Sequence, residues 1–255
     1  MAAAILLSAL LATAIPAGST PVDVAVVAHR GLAEGVPENT IAAFRQSIDR
    51  GVTIIELDLR VTRDGQLVVI HDETLDRTTD CIGPVAAMDL DKLRACDAGS
   101  GERVPSFAEV LTLVRGKPVR VLADVKDGTP LAPVLDAVRR QSAGRQIILG
   151  LRNTKQVRRA RHALPDATIL AYMREVADGP AFAEAGSHVI RLWSDWVEAD
   201  PAVIARTRAL GPDVWIMVGR RLPTRERAWR ALHARMIAAG AQGLITDRPE
   251  LISAP

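Results

Sequence analysis

Glu56 and Asp58 stand two residues apart in the apolar run TIIELDL, residues 53–59. In a strand that spacing puts both carboxylates on one face. Ile54, Ile55, Leu57 and Leu59 around them argue against full exposure. Two carboxylates side by side out of water repel each other and lose hydration, and a divalent cation is the usual remedy. The run VRVLADVK, 119–126, repeats the spacing with Asp124 and Lys126. Two histidines also end apolar runs. His29 closes VAVVAH and is followed at once by Arg30, and His71 closes LVVIH. A metal held by Glu56, Asp58 and Asp124, with Arg30 and Lys126 beside it, describes a site for an anion. Phosphate fits best, because a cation and an arginine together neutralise its equatorial oxygens. Histidines on either side suggest one base and one acid.

These residues need a scaffold that gathers strand ends. Short β-like runs recur at 24–28, 53–59, 67–71, 119–125, 146–151, 167–173, 188–193, 214–218 and 243–246. Helix-like stretches separate most of them, at 40–51, 106–116, 131–141, 154–164, 201–210 and 225–240. Ser106 with Glu109 makes a capping box. Strand–helix alternation predicts a parallel sheet, and about eight units in roughly 230 residues is the count for a (β/α)8 TIM barrel. Catalytic residues of such barrels sit at the C-terminal strand ends. Nine candidate strands exceed eight, so one lies outside the barrel. The irregular place is 56–71. Asp64-Gly65 is a turn signal. A hairpin about it sets Asp58 opposite His71, whereas two neighbouring parallel strands leave both at the same barrel rim. Residues 74–105 are rich in Asp and Gly and break the rhythm, so they read as a small insertion after the third strand.

Composition narrows the function classes. The chain has 255 residues, with 32 basic against 30 acidic side chains and 3% aromatics. That near balance leaves no electrostatic footprint for nucleic acid and little material for stacking on bases. Residues 1–17, MAAAILLSALLATAIPA, read as a signal peptide, with the folded domain at 22–255 and a secreted or extracytoplasmic location. The alternative is an N-terminal apolar helix packed on the domain. In an oxidising compartment Cys81 and Cys96 would form a disulfide. The alternative is two unrelated buried thiols. Lys155, Arg158, Arg159 and Arg161 form a local basic cluster, either a solvated helix face or a weak membrane-surface contact.

The motifs HRG, PENTIAAF and IIELDLRVTRDGQLVVIHDETLDRTT together resemble the glycerophosphodiester phosphodiesterase family. The likeness covers most of residues 26–125 and the late GLITDRPE, while 130–240 matches in strand–helix rhythm only. The resemblance implies a TIM-barrel phosphodiesterase acting on a small-molecule glycerophosphodiester. His29 and His71 would be its acid–base pair, and Arg30 would hold the phosphate. Glu56 and Asp58 would bind a divalent metal, usually Ca²⁺ or Mg²⁺. The family usually carries Glu-x-Lys where this chain has Asp124-Val125-Lys126, so the carboxylate reaches less far. It carries Trp-Thr-x-Asn where this chain has Trp215-Ile216-Met217-Val218. Trp215 would still line the substrate pocket. Two rivals remain: a phospholipase D-like activity on lysophospholipid or sphingolipid, and a binding protein that has lost catalysis. Asn39 or Thr40 reads as a helix N-cap, Asp247 as part of a helix start, and His162 and His233 as surface residues.

Overall fold

The computed structural model describes residues 24–218 and 223–252. The expected signal peptide lies outside the described residues. The strands are β1 (Ala25–Ala28), β2 (Ile54–Val61), β3 (Leu67–Val69), β4 (Arg120–Val125), β5 (Ile147–Leu151), β6 (Thr168–Tyr172), β7 (Val189–Trp193), β8 (Asp213–Met217) and β9 (Gly243–Thr246). All but β3 form one parallel sheet in the order β1-β9-β8-β7-β6-β5-β4-β2, and β1 pairs with β2 to close it. This is the (β/α)8 barrel that the strand–helix rhythm predicts. The helices are α1 (Ile41–Asp49), α2 (Leu90–Leu93), α3 (Phe107–Val114), α4 (Leu131–Arg140), α5 (Thr154–Ala163), α6 (Gly179–Glu184), α7 (Ser194–Ala199), α8 (Val203–Arg208) and α9 (Glu226–Ala238). Ser106 caps α3 through the expected box with Glu109.

Strand alternation divides the core into two layers. Ile55, Leu57, Leu149, Ile190 and Ile216 face outward and pack with the helices in one cluster. Val27, Ile54, Leu122, Ile148, Leu170 and Ile245 fill the barrel interior in another. Two glycines make room there for large rings. A Cβ on Gly150 would lie 2.2 Å from the Tyr172 ring, and one on Gly243 would lie 2.7 Å from Trp215.

β3 is the strand outside the barrel. It pairs antiparallel with the end of β2, Leu59 opposite Val69 and Val61 opposite Leu67. The hairpin is real, but its register differs by one residue from a two-residue Asp64-Gly65 turn. The Thr62 N–H donates to the Gln66 carbonyl at 2.9 Å, so Arg63, Asp64 and Gly65 all lie in the loop. Gly65 adopts φ +80°, the left-handed residue that closes a three-residue hairpin loop. Ile70, and not His71, therefore stands opposite Asp58 and donates to its carbonyl at 3.0 Å. His71 follows one step beyond, on the bend that leaves the hairpin.

Residues 74–105 form the expected interruption. They hold a short 3₁₀ turn, α2, and a disulfide between Cys81 and Cys96. Leu75, Val85, Leu93 and Val104 pack against Val68 and Ile70 of the hairpin in a third small core. The insertion is thus fastened to the segment that carries His71.

Candidate active site

Glu56 and Asp58 lie on β2, and Asp124 lies on β4 in register with Asp58. They are 1%, 1% and 4% exposed. One carboxylate oxygen from each lies within 4.8 Å of the others. Hard oxygen donors at this spacing fit a hard divalent cation such as Ca²⁺ or Mg²⁺. The chain's own cations already stand among them. The Lys126 Nζ is 2.6 Å from Asp58 Oδ1 and 2.7 Å from Asp124 Oδ2. Arg152, just past β5, makes a two-pronged ion pair with Asp124 and donates to the Val125 carbonyl at 2.6 Å. Both Asp124 oxygens are therefore engaged. Burial pushes the Glu56 carboxyl up, reinforced by the negative charges of Asp58 and Asp124. Burial also works against ionised Asp58 and Asp124. Lys126 nevertheless holds Asp58 below the usual carboxylate range, and Arg152 with Lys126 does the same for Asp124.

The two histidines are each tied at Nδ1. His29 follows β1 and meets Asp247, just past β9, at 2.6 Å. Burial disfavours its charged form, but the Asp247 hydrogen bond and the Glu56 charge outweigh it and the imidazole is pushed up. His71 meets Asp72 at 2.6 Å, and its carbonyl accepts from Arg60 Nε at 2.9 Å. Here burial prevails over the attraction of Asp58, and the imidazole is pushed down. With Nδ1 occupied in both rings, Nε2 is the nitrogen left to act.

Arg30 follows His29 directly. Its backbone is left-handed, φ +56°, a conformation that costs a non-glycine residue on the order of 1 kcal/mol. Three contacts hold it there. Its N–H donates to Glu56 Oε2 at 2.8 Å, its guanidinium donates to Glu38 Oε1 at 2.9 Å, and Nε lies 3.5 Å from Asp58 Oδ2. A cleft of about 500 Å³ opens on His29 and Arg30, with Glu38, Asp247 and Arg248 on its walls.

The structure thus brings His29, Arg30, Glu56, Asp58, His71, Asp124 and Lys126 to the C-terminal rim. Trp215 lies lower, 4% exposed in the interior cluster. Three residues at the rim escape a reading of the sequence by local motif. Asn39 is not the helix cap. Thr40 caps α1 by accepting from Ala43 N–H at 3.3 Å, while the Asn39 amide donates to Asp58 Oδ2 at 2.7 Å. Asp247 does lie just before a helix start, the short 3₁₀ turn Pro249–Leu251 with Pro249 at its first position, but its side chain is the partner of His29. Arg152 is the partner of Asp124. Farther round, Arg191 lies inside the barrel with its guanidinium 4.2 Å from the Trp193 ring centre and 5.1 Å from that of Tyr172. His233 is no surface residue. It is 1% exposed, and its Nε2 lies 2.9 Å from Thr246 Oγ1.

The profile of the glycerophosphoryl diester phosphodiesterase family matches residues 29–225, which include every rim residue above except Asp247 and Arg248. The chain belongs to this family. A glycerophosphodiester phosphodiesterase of Caldanaerobacter subterraneus subsp. tengcongensis is 32% identical over 240 residues, 89% of this chain and 95% of that protein. A solved glycerophosphodiester phosphodiesterase from Agrobacterium tumefaciens str. C58 superposes with a TM-score of 0.74 at 28% identity, covering 89% of this chain and 98% of that one. An Oleispira antarctica phosphodiesterase, solved in complex with the product sn-glycerol-3-phosphate, shares the fold. Its TM-score is 0.75 at 20% identity, over 88% of this chain and 93% of that one.

Proposed function

We propose that the protein is an extracytoplasmic, metal-dependent glycerophosphodiester phosphodiesterase that releases glycerol 3-phosphate and an alcohol. One observation carries the reading. Two strand-end histidines, each fixed at Nδ1 by a carboxylate, stand beside a buried cluster of three carboxylates in a chain of this family. Glu56, Asp58 and Asp124 would hold the divalent cation, Asp124 by exchanging its contact with Lys126 for it, and the cation would supply positive charge to the phosphate oxygens. Arg30 binds the phosphate, and Lys126 adds a second positive charge against it. One imidazole takes the proton of the attacking hydroxyl, from water or from the substrate's own glycerol. As the new O–P bond forms, the bond to the alcohol breaks, and the other imidazole protonates the leaving alkoxide; where the glycerol hydroxyl attacks, the first product is a cyclic phosphate, which water then opens to glycerol 3-phosphate with the two imidazoles in exchanged roles. Positioned groups of this kind supply most of the rate in phosphoryl transfer. Export is supported by the apolar leader at 1–17 and by the Cys81–Cys96 disulfide, which suits an oxidising compartment. The basic face of α5 is where a weak contact with anionic headgroups would form.

The test is turnover of glycerophosphocholine, glycerophosphoethanolamine, glycerophosphoglycerol and a lysolipid, each after metal stripping and after return of Ca²⁺ or Mg²⁺. The reading expects release of glycerol 3-phosphate that EDTA abolishes and one of the two cations restores. Full activity in EDTA would contradict the carboxylate–metal assignment, and turnover of the lysolipid alone would favour the lipid-cleaving rival.

A further inference from the structure

The insertion contributes one long side chain to the rim, and nothing above gives it work. Arg77 leaves the turn that follows Leu75. That turn is fixed from below. Leu75 is fully buried, its carbonyl accepts from the Thr79 N–H at 3.0 Å and from Thr79 Oγ1 at 2.9 Å, and Thr79 Oγ1 accepts from the Cys81 N–H at 3.1 Å. From there the Arg77 guanidinium spans two carboxylates. It donates to Asp72 Oδ2 at 2.6 Å and Oδ1 at 3.2 Å, and to Glu38 Oε1 at 2.8 Å and Oε2 at 3.0 Å. Asp72 Oδ1 is the atom that holds His71, and Glu38 Oε1 is the atom that holds Arg30. The result is an unbroken chain of ion pairs and hydrogen bonds: Arg30, Glu38, Arg77, Asp72, His71.

We propose that Arg77 is a positioning residue that sets the distance and orientation between the phosphate-binding Arg30 and the imidazole of His71. The proposal rests on the roles given to those two residues above. Glu38 comes from the loop before α1 and Asp72 from the bend after β3. Among the described residues, Arg77 is the side chain that hydrogen-bonds to both carboxylates. A guanidinium suits the task because its planar fork can meet two carboxylates at once, which an ammonium does not match. Single exposed ion pairs contribute little to stability. The value of this network lies in geometry. A displacement of about 1 Å at a reacting group costs as much as a hundredfold in rate. The disulfide-stapled insertion then has a function in the active site beyond its own packing.

Arg77→Met should lower kcat by about tenfold or more while KM stays within about threefold, because a misaligned proton-transfer group is felt mainly in the transition state. Arg77 is 46% exposed, so a small solute can reach its place. Guanidinium ion at tens of millimolar should restore part of the lost kcat in Arg77→Met, and tetramethylammonium chloride at equal ionic strength should not. A purely structural arginine would lower the melting temperature and show no such rescue. Wild-type kcat in Arg77→Met, or a loss that guanidinium leaves untouched, would overturn the proposal. If Arg77→Met does not fold, Arg77→Lys replaces it. Reduced kcat at a wild-type melting temperature supports the proposal, and full kcat overturns it. An inactive wild-type enzyme would instead sink the phosphodiesterase reading itself, so the two failures are distinguishable.

Discussion

Asp247→Asn isolates the support of one histidine. The carboxylate accepts from His29 Nδ1 at 2.6 Å, across the β1–β9 seam of the barrel. The amide keeps the shape and removes the charge. A hydrogen bond to a charged group contributes about 1.5–3 kcal/mol, which corresponds to roughly 10- to 150-fold in rate if it acts in the transition state. The side chain of Asp247 is 36% exposed and that of His29 is 11% exposed. Water screens the pair from the Asp247 side, so the lower part of that range applies, about 10- to 50-fold in kcat. KM should move little, since Arg30 and the carboxylate cluster are untouched. Loss of the negative charge should also shift the limb of the pH–rate profile that belongs to His29 to lower pH. This holds whether His29 is the acid or the base, because Asp247 raises the imidazole in the folded protein. The assay is release of glycerol 3-phosphate across pH 5–9, with melting temperature as the control for folding. A kcat within twofold of wild type, together with an unmoved profile, would refute the assigned role of Asp247.

Two further outcomes concern stability. Cys81 and Cys96 are separated by 15 residues, and closing a loop of that size stabilises by about 3 kcal/mol in the chain-entropy model. The double variant Cys81→Ser/Cys96→Ser should therefore melt roughly 6–12 °C lower, and an unchanged melting temperature would show that the staple constrains little. His233 is buried, and its imidazole is pushed down to about 4. The unfolded chain takes up this proton near pH 6.5 and the folded one only near 4, so the stability is present above 6.5 and lost as pH falls between them. Between pH 7 and pH 5 the loss from this group is about 2 kcal/mol. Urea unfolding of His233→Gln should show a weaker dependence over that interval, and an equal dependence would place the effect elsewhere.

The barrel was legible because its strands are short apolar runs with helices between them, and the carboxylates because period two fixes their common face. The same rule reaches further than motifs suggest. Continuing the inward alternation one step past a strand leads from Ile148 and Gly150 to Arg152, and from Gly243 and Ile245 to Asp247. Both are rim residues that local capping logic passes over. His233 stands four residues after Trp229 on the buried face of α9, so helical spacing carried its burial too. Three features were beyond such rules. The hairpin register depends on Asp64, which does not take the left-handed backbone that a two-residue turn demands of both its residues; Gly65 alone does, so Arg63 joins the loop and His71 moves off Asp58. Asn39 reaches Asp58 across 19 residues of chain from a loop with no period. Arg77 is of the same kind: its two partners lie 39 and 5 residues away, and only the packed insertion joins them.

The central claim is hydrolysis of glycerophosphodiesters by His29 and His71 beside the carboxylate cluster. It is tested most directly by measuring glycerol 3-phosphate released from glycerophosphoglycerol by the wild type, His29→Ala and His71→Ala, with the thermal melt of each recorded alongside. The account predicts release by the wild type and none by either variant, at melting temperatures within a few degrees of one another. Release by both variants, or none by the metal-loaded wild type on any glycerophosphodiester, would contradict it.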